Sequence, residues 1–237
     1  MTFLISYPLS LQSPLYPGTP PFSCQNVKSL TKGDRANTSL LILSSHSGSH
    51  IDAPRHFCTG GKTTKEILGT QLDLSPVYCI DVAVGKDTPI RISDVQSIIG
   101  EIPDAQGLLI RTGMFRFRTT DPEKYCSGHP WVHPELPEYL KCSCPKLQLF
   151  GTDTISISNP LYRDDGRVCH RAFLCGDSPV MLAEDLDLSD PSLTSAPLEV
   201  VIHPLIVDDL DGVPVLAFAK FVAGRPRGGF QTTMREL

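Results

Sequence analysis

The chain has 237 residues, 41% of them apolar, with a formal net charge of −5; it is long enough to bury a core without covalent staples, and its acidic balance offers nucleic acid no basic footprint. No run reaches the roughly 18 apolar residues of a membrane-spanning helix, so neither nucleic acid nor a bilayer is expected as a partner. Eight cysteines are present, but no C-x-x-C pair nominates a zinc knuckle or redox site, and they read as reduced, mostly buried small hydrophobes of a cytoplasmic protein.

Taken in chain order, the opening MTFLISYPLSLQSPLYPG lacks a positively charged start, and Ser6, Pro8 and Ser10 break its apolar run, so it reads as part of the fold rather than a leader. Short apolar runs punctuated by proline and glycine follow. SLLILSS (39–45), VYCIDVAV (77–84), GLLIRTG (107–113), LQLFGTD (147–153), PVMLAE (179–184), LEVVIHPLIV (198–207) and VPVLAFA (213–219) read as buried strands, too short for the helices of a bundle. RISDVQSIIGEI (91–102) reads as a helix capped by Ser93, and HPELPEYLKCS (133–143) as a helix interrupted by Pro137. No repeat or low-complexity linker divides the chain, and one mixed α/β domain over 1–237 is the economical reading.

Three of the seven histidines fall in HSGSHIDAPRHF, residues 46–57, directly after the first of these runs. A helix would bring His46 and His50 together but leave Asp52 roughly 160° around the axis from His50, and Gly48 and Pro54 oppose a helix there. In an extended chain His46, His50, Asp52 and His56 share one parity and one face. His46 and His50 would then stand about 13 Å apart unless the backbone bends, and Gly48 is the residue that allows the bend. Neutral imidazoles with one carboxylate suit a borderline divalent ion such as Zn²⁺ or Mn²⁺ and leave positions open for water. Other residues carry weaker signals: Cys58 and Cys169 have no Cys-His-Asn pattern around them, and His129 and His133 are flanked by Pro130 and Pro134 without a carboxylate to complete a set. Trp131 reads as packing.

The same segment is similar to the signature H-x-G-T-H-x-D-x-P-x-H-F of the metal-dependent cyclase-like hydrolases, a family that includes bacterial kynurenine formamidase and isatin hydrolase. Every fixed position matches but one, where Ser49 stands for threonine. SPLYPGTP (13–20) resembles the family's opening P-x-[WY]-P-G segment, GLLIRTG its central strand, LFGTDTISIS its G-x-D-x-x-S segment and HPLIVDDLDGVPVLAFA its closing strand pair.

The resemblance implies a swivelling β/β/α fold around a mixed barrel-like sheet, assembled as a homodimer or larger homo-oligomer. It implies that His46, His50 and Asp52 bind a first ion, with Asp52 able to bridge to a second held by His170 and Glu184, and that His56 carries protons beside the attacking water. The stretch containing His170 and Glu184 is two residues longer than the family's pattern, so one ion or two stays open. Tyr16 matches the aromatic of the opening segment and is a candidate for substrate contact, whereas Thr19 replaces an acidic residue often found there. The implied activity is hydrolysis of a small-molecule amide, an aryl formamide of the N-formylkynurenine type first; ring opening of a cyclic amide or lactone, or metal binding without turnover, are the alternatives.

Overall fold

The computed structural model describes residues 2–223; of the domain expected over 1–237, Met1 and residues 224–237 lie outside the described part. The strands are β1 (Thr2–Leu4), β2 (Ser23–Lys28), β3 (Thr38–Ile42), β4 (His50–Asp52), β5 (Leu72–Asp81), β6 (Pro89–Ile90), β7 (Gly107–Arg111), β8 (Trp131–Val132), β9 (Leu149–Thr152), β10 (Met181–Glu184), β11 (Leu198–Pro204) and β12 (Gly212–Phe221). The α-helices are α1 (Thr64–Leu68), α2 (Ile92–Ile99), α3 (Pro122–Ser127), α4 (Leu136–Ser143) and α5 (Arg163–Leu174).

The main sheet runs β12-β11-β5-β7-β9-β10-β4 and closes where β4 pairs back onto β12, making a seven-stranded mixed barrel with β1 added along β12. This is the mixed α/β, barrel-like architecture the resemblance implies. Strands β5, β7, β9 and β10 are mutually parallel, and parallel strands need covered faces. Accordingly every position of β9 and β10 is buried, as is 107–110 of β7. The antiparallel β11 instead alternates, burying Leu198, Val200, Ile202 and Pro204. Helix α4 packs against both α2 and α5, and α5 lies against β10; one continuous cluster from Phe3 to Ala219 forms the core.

Several elements differ from the sequence reading. Helix α2 begins at Ile92, where Asp94 accepts the Arg91 N–H at 2.7 Å, so Ser93 lies inside the first turn and is not the cap. Pro137 does not interrupt α4; it sits in the first turn, where a missing N–H costs nothing. The run expected as a buried strand over 39–45 forms β3, which pairs only with β2 and is exposed at all five residues. An apolar run reports low polarity, and among the described residues nothing covers it. The cysteines are not all reduced: Cys58 and Cys175 are bonded with Cα atoms 5.7 Å apart, and of the six free ones only Cys79, Cys144 and Cys169 are buried.

Candidate metal centre

The register of the barrel assembles the cluster. Strand β4 lies between β10 and β12, with Glu184 directly across from His50 and Gly212 directly across from Asp52. Residues opposite each other in a ladder share a face, so His50, Asp52 and Glu184 project together, and the missing side chain at 212 leaves room beside Asp52. Before β4 the backbone turns at Gly48, whose φ of +66° any other residue would resist and whose Cβ would fall 2.6 Å from Leu9. This turn, rather than an extended strand, brings the His46 ring to 5.1 Å from that of His50. From the other side α5 supplies His170. Gly166, one turn earlier, lets the helix press against Ser158, where a Cβ would lie 1.9 Å from the hydroxyl.

Each inner imidazole is oriented by the main chain. His50 Nδ1 donates to Gly48 O at 2.8 Å and His170 Nδ1 to Gly166 O at 2.7 Å, so both turn Nε2 toward the carboxylates. His50 Nε2 lies 3.5 Å from Asp52 Oδ1 and 3.4 Å from Glu184 Oε2; His170 Nε2 lies 3.8 Å from Asp52 Oδ2 and 3.6 Å from Glu184 Oε1. Glu184 Oε1 accepts Ser156 Oγ at 3.0 Å and Ile157 N at 2.8 Å. Asp52 is different. His46 Nδ1 lies 2.8 Å from its Oδ1, an ion-pair contact when that imidazole is protonated, and beyond it both Asp52 oxygens are buried without a hydrogen-bond partner among the described residues. A buried carboxylate with so few hydrogen bonds depends on positive charge beside it, from protonated imidazoles or from a bound cation that takes its lone pairs. The donor set fits one: imidazole nitrogens and carboxylate oxygens gathered within a few ångströms, in the two groups His50–Asp52–Glu184 and His46–Asp52–His56.

The electrostatics agree. Burial would raise Asp52 and Glu184, but the imidazoles of His46 and His50 hold Asp52 below the ordinary carboxylate range, and those of His170 and His50 hold Glu184 well below it. Burial likewise opposes charge on His46, yet Asp52 and Asp211 push it up to about 10. Without an ion, protons on the imidazoles balance the carboxylates, and a divalent cation would displace them.

Outside this inner group stands a second one. Asp211 Oδ2 accepts from His46 Nε2 and from His56 Nδ1, both at 3.0 Å, and its Oδ1 accepts Ser45 Oγ at 3.1 Å. These hydrogen bonds hold Asp211 far below the usual range. They also fix both rings, leaving Nδ1 of His46 toward Asp52 and Nε2 of His56 without a partner among the described residues. A cavity of about 430 Å³ opens onto His46, His50, His56, His170 and Glu184, with Tyr16, Phe57 and Ile155 among its apolar lining.

The structure thus brings His46, His50, Asp52, His56, His170 and Glu184 together, and places Tyr16 and Thr19 on the cavity wall. His129 is fully buried with Nδ1 donating to Pro130 O, and His133 neighbours Glu135; neither reaches the cluster. Trp131 stacks on Tyr162, away from the cavity. Cys58 is in the disulfide. Sequence reasoning missed Asp211, which lies in the DGVP turn of the closing strand pair, Phe57, which stacks on the His170 ring at 4.4 Å, and two cavity-lining arginines, Arg163 and Arg167.

A closed mixed barrel with an open His/Asp/Glu centre at the end of β4 and β10 defines a class of protein, and its members can be recognised by sequence. Residues 4–159 match the Cyclase family model, and the chain belongs to that family. It is 32% identical over 213 residues to the kynurenine formamidase of Geobacillus thermodenitrificans, spanning 90% of this chain and 94% of that one. It shares its fold with isatin hydrolase A from Ralstonia solanacearum (TM-score 0.73, 20% identity, 92% of this chain and 91% of that one) and from Labrenzia aggregata (TM-score 0.73, 18% identity, 92% and 93%). Among the described residues no helix is long and apolar enough to cross a membrane.

Proposed function

We propose that the protein is a metal-dependent hydrolase that cleaves the C–N bond of a small amide, an aryl formamide of the N-formylkynurenine type being the leading substrate and tryptophan breakdown its setting. The observation that carries this reading is Asp52: fully buried, faced by the imidazoles of His46, His50 and His170 and by Glu184, and beyond its 2.8 Å contact with His46 without a hydrogen-bond partner among the described residues, beside an open cavity. His46, His50 and Asp52 would hold a Zn²⁺ or Mn²⁺ ion, and His170 and Glu184 either complete that site or hold a second ion bridged through Asp52. The relationship to a kynurenine formamidase over nine-tenths of the chain supports the amide substrate.

Such an ion, when bound, supplies Lewis acidity, lowering the pKa of a bound water toward about 7 and polarising the carbonyl under attack. The chain's own residues do the rest. His56, its Nδ1–H held by Asp211, keeps Nε2 as the basic nitrogen, which can accept the proton lost as water adds to the carbonyl carbon. The same nitrogen returns that proton to the leaving amine as the C–N bond breaks, so amide and water become acid and amine with no net proton change at His56. Tyr16, Phe57 and Ile155 provide an apolar wall for the aryl ring. An ion serving stability alone needs no cavity on its donor side, so turnover is favoured over a purely structural site.

We further propose that the unit spans 1–237 and works as a homodimer in the cytoplasm. The hairpin of β2 and β3 exposes Val27, Leu40, Leu41 and Ile42 at about half of their surface or more, a patch of the kind that a second subunit covers. The test of the activity is metal analysis followed by assay against aryl formamides, isatin-like cyclic amides and lactones. Chelation is expected to abolish turnover and Zn²⁺ or Mn²⁺ to restore it; full activity in verified metal-free protein would overturn the proposal.

A further inference from the structure

We infer that the disulfide between Cys58 and Cys175 is a redox switch on the centre: oxidised, it clamps the segment of His56 and Phe57 to the helix of His170, and its reduction releases the two and slows turnover. The effect on turnover rests on the hydrolase reading above; the clamp does not. Cys58 follows His56 by two residues and Cys175 follows His170 by five, so one bond joins the chain just past the proton carrier to the end of α5. Around Cys58 the chain is a short loop: Pro54–His56 is a 3-10 turn, Cys58 N–H donates to Pro54 O at 2.9 Å and Gly61 N–H to Cys58 O at 2.8 Å. Such local bonds shape the loop without fixing it to α5. At the other end Cys175 caps α5, its N–H donating to Arg171 O at 2.9 Å.

The non-covalent contacts between the two segments are slight. Phe57 stacks on His170 with ring centroids 4.4 Å apart, His56 meets the same ring edge-on at 5.9 Å, and exposed Arg171 donates from Nη1 to Phe57 O at 3.3 Å. On its far side His56 is held by Asp211, so the bridge sets how close the loop stands to His170, while its imidazole keeps a partner either way. Misplacement by about 1 Å is enough to cost a positioned catalytic group most of its rate. The bond is also within reach of a reductant. Both cysteines are half-buried, and Thr59, Gly60, Gly176, Asp177 and Ser178 beside them are exposed. A core running from Phe3 to Ala219 needs no staple, and in a reducing compartment such as the cytoplasm proposed above a disulfide serves as a reversible sensor. Reduction is thiol–disulfide exchange. A dithiol reductant's thiolate attacks one sulfur, its second thiol resolves the mixed disulfide, and Cys58 and Cys175 gain two electrons and two protons as the dithiol closes to a disulfide.

The test reduces the metal-loaded protein with a water-soluble phosphine, because a dithiol would also take the ion, and alkylation followed by mass measurement verifies that two new thiols have formed. On an aryl formamide, kcat is expected to fall by roughly ten- to a hundredfold and to return on reoxidation. The double variant Cys58→Ser/Cys175→Ser should show the low kcat from the start and ignore the phosphine; if it does not fold, reduced wild type carries the test. Amide hydrogen exchange gives a readout independent of activity. On reduction the amides of 55–62 and 171–175 should exchange roughly tenfold faster while those of β5, β7 and β9 keep their rates, which separates a released clamp from a general loss of stability. Unchanged kcat, unchanged exchange, or exchange that rises in loop and barrel alike overturns the inference. If the oxidised protein hydrolyses no formamide, cyclic amide or lactone, the hydrolase reading fails separately and exchange decides the clamp: faster exchange confined to the two segments supports it, and unaltered protection sinks it.

Discussion

The inner wall and the outer rim of the centre are anchored by different means. His50, Asp52, His170 and Glu184 are 0 to 4% exposed, and the two histidines and Glu184 are oriented by main-chain atoms: Gly48 O, Gly166 O and Ile157 N. The side chains of His46, His56 and Asp211 are 20, 26 and 35% exposed, and the two rings are oriented by one carboxylate. A wall fixed by the barrel backbone suits a ligand set whose geometry must not move. A rim fixed by a single side chain leaves a proton carrier facing both the reacting centre and water.

The sharpest way to break that contrast is to remove one histidine from each side. His50→Ala should bring metal content and turnover together to background, because it deletes a donor that nothing in the buried wall can replace. His56→Ala should keep its first ion and lose mainly kcat, by about 10²–10⁴-fold, the range of general acid–base catalysis. Bound metal and turnover are measured on both under identical conditions. A metal-free His56→Ala protein would make His56 a ligand; a metal-loaded one with undiminished turnover would remove it from the chemistry.

The two regions also differ in how far they could be read beforehand. His46, His50, Asp52 and His56 stand within eleven residues, so the cluster was visible in the chain, although shared parity holds only for His50 and Asp52 on β4: a turn places His46, and a 3-10 helix over Pro54–His56 places His56. Asp211 lies 165 residues from His46, and no local spacing points to it. The parallel strands were legible because burial on both faces leaves continuous apolar runs such as LLI at 108–110. Helix α5 was not: Gly166 interrupts it, and three arginines and two aspartates dilute the stripe of Cys169, Phe173 and Leu174. The bond between Cys58 and Cys175, 117 residues apart, depends on where that unread helix ends. The exposed β3 failed differently, since its composition was read correctly and only its surroundings were not.

Asp211 tests whether the rim is held as a unit. Both rings donate to the one oxygen Oδ2, so asparagine can at best keep these bonds through a neutral amide oxygen, and it removes the carboxylate charge that faces both imidazoles. Asp211→Asn is expected to weaken metal affinity or lower kcat by roughly 10- to 100-fold, the usual effect of removing a partner behind a ligand, with KM little changed. Competition with a calibrated chelator gives the affinity, and steady-state kinetics the split between kcat and KM. If both parameters stay at wild-type values, Asp211 is an ordinary surface carboxylate and the rings are placed by packing alone.

The smallest effect expected is at Ser49, between the two regions. Its Oγ accepts the Tyr7 N–H at 2.8 Å and donates to the carbonyl of Asp185, the residue after Glu184, so it ties the N-terminal segment and the end of β10 to β4. Asp185 is itself clamped by Arg118 at 2.7 Å through both oxygens and by Tyr125 at 2.5 Å. The family signature has threonine here, which keeps the hydroxyl and adds a methyl. A cavity of about 630 Å³ lined by Tyr7, Leu9 and Leu43 adjoins Ser49 and can take that methyl. Ser49→Thr should therefore leave stability and turnover close to wild type. Ser49→Ala leaves the half-buried Tyr7 N–H and the carbonyl of buried Asp185 without their partner and should cost about 1–3 kcal/mol of unfolding free energy, while turnover falls less than in the Asp211 variant because Arg118 and Tyr125 still hold Asp185. Urea unfolding of the three proteins checks the order. An alanine variant as stable as the serine protein would show that water replaces the hydroxyl, and that the register of β4 against β10 holds the wall unaided.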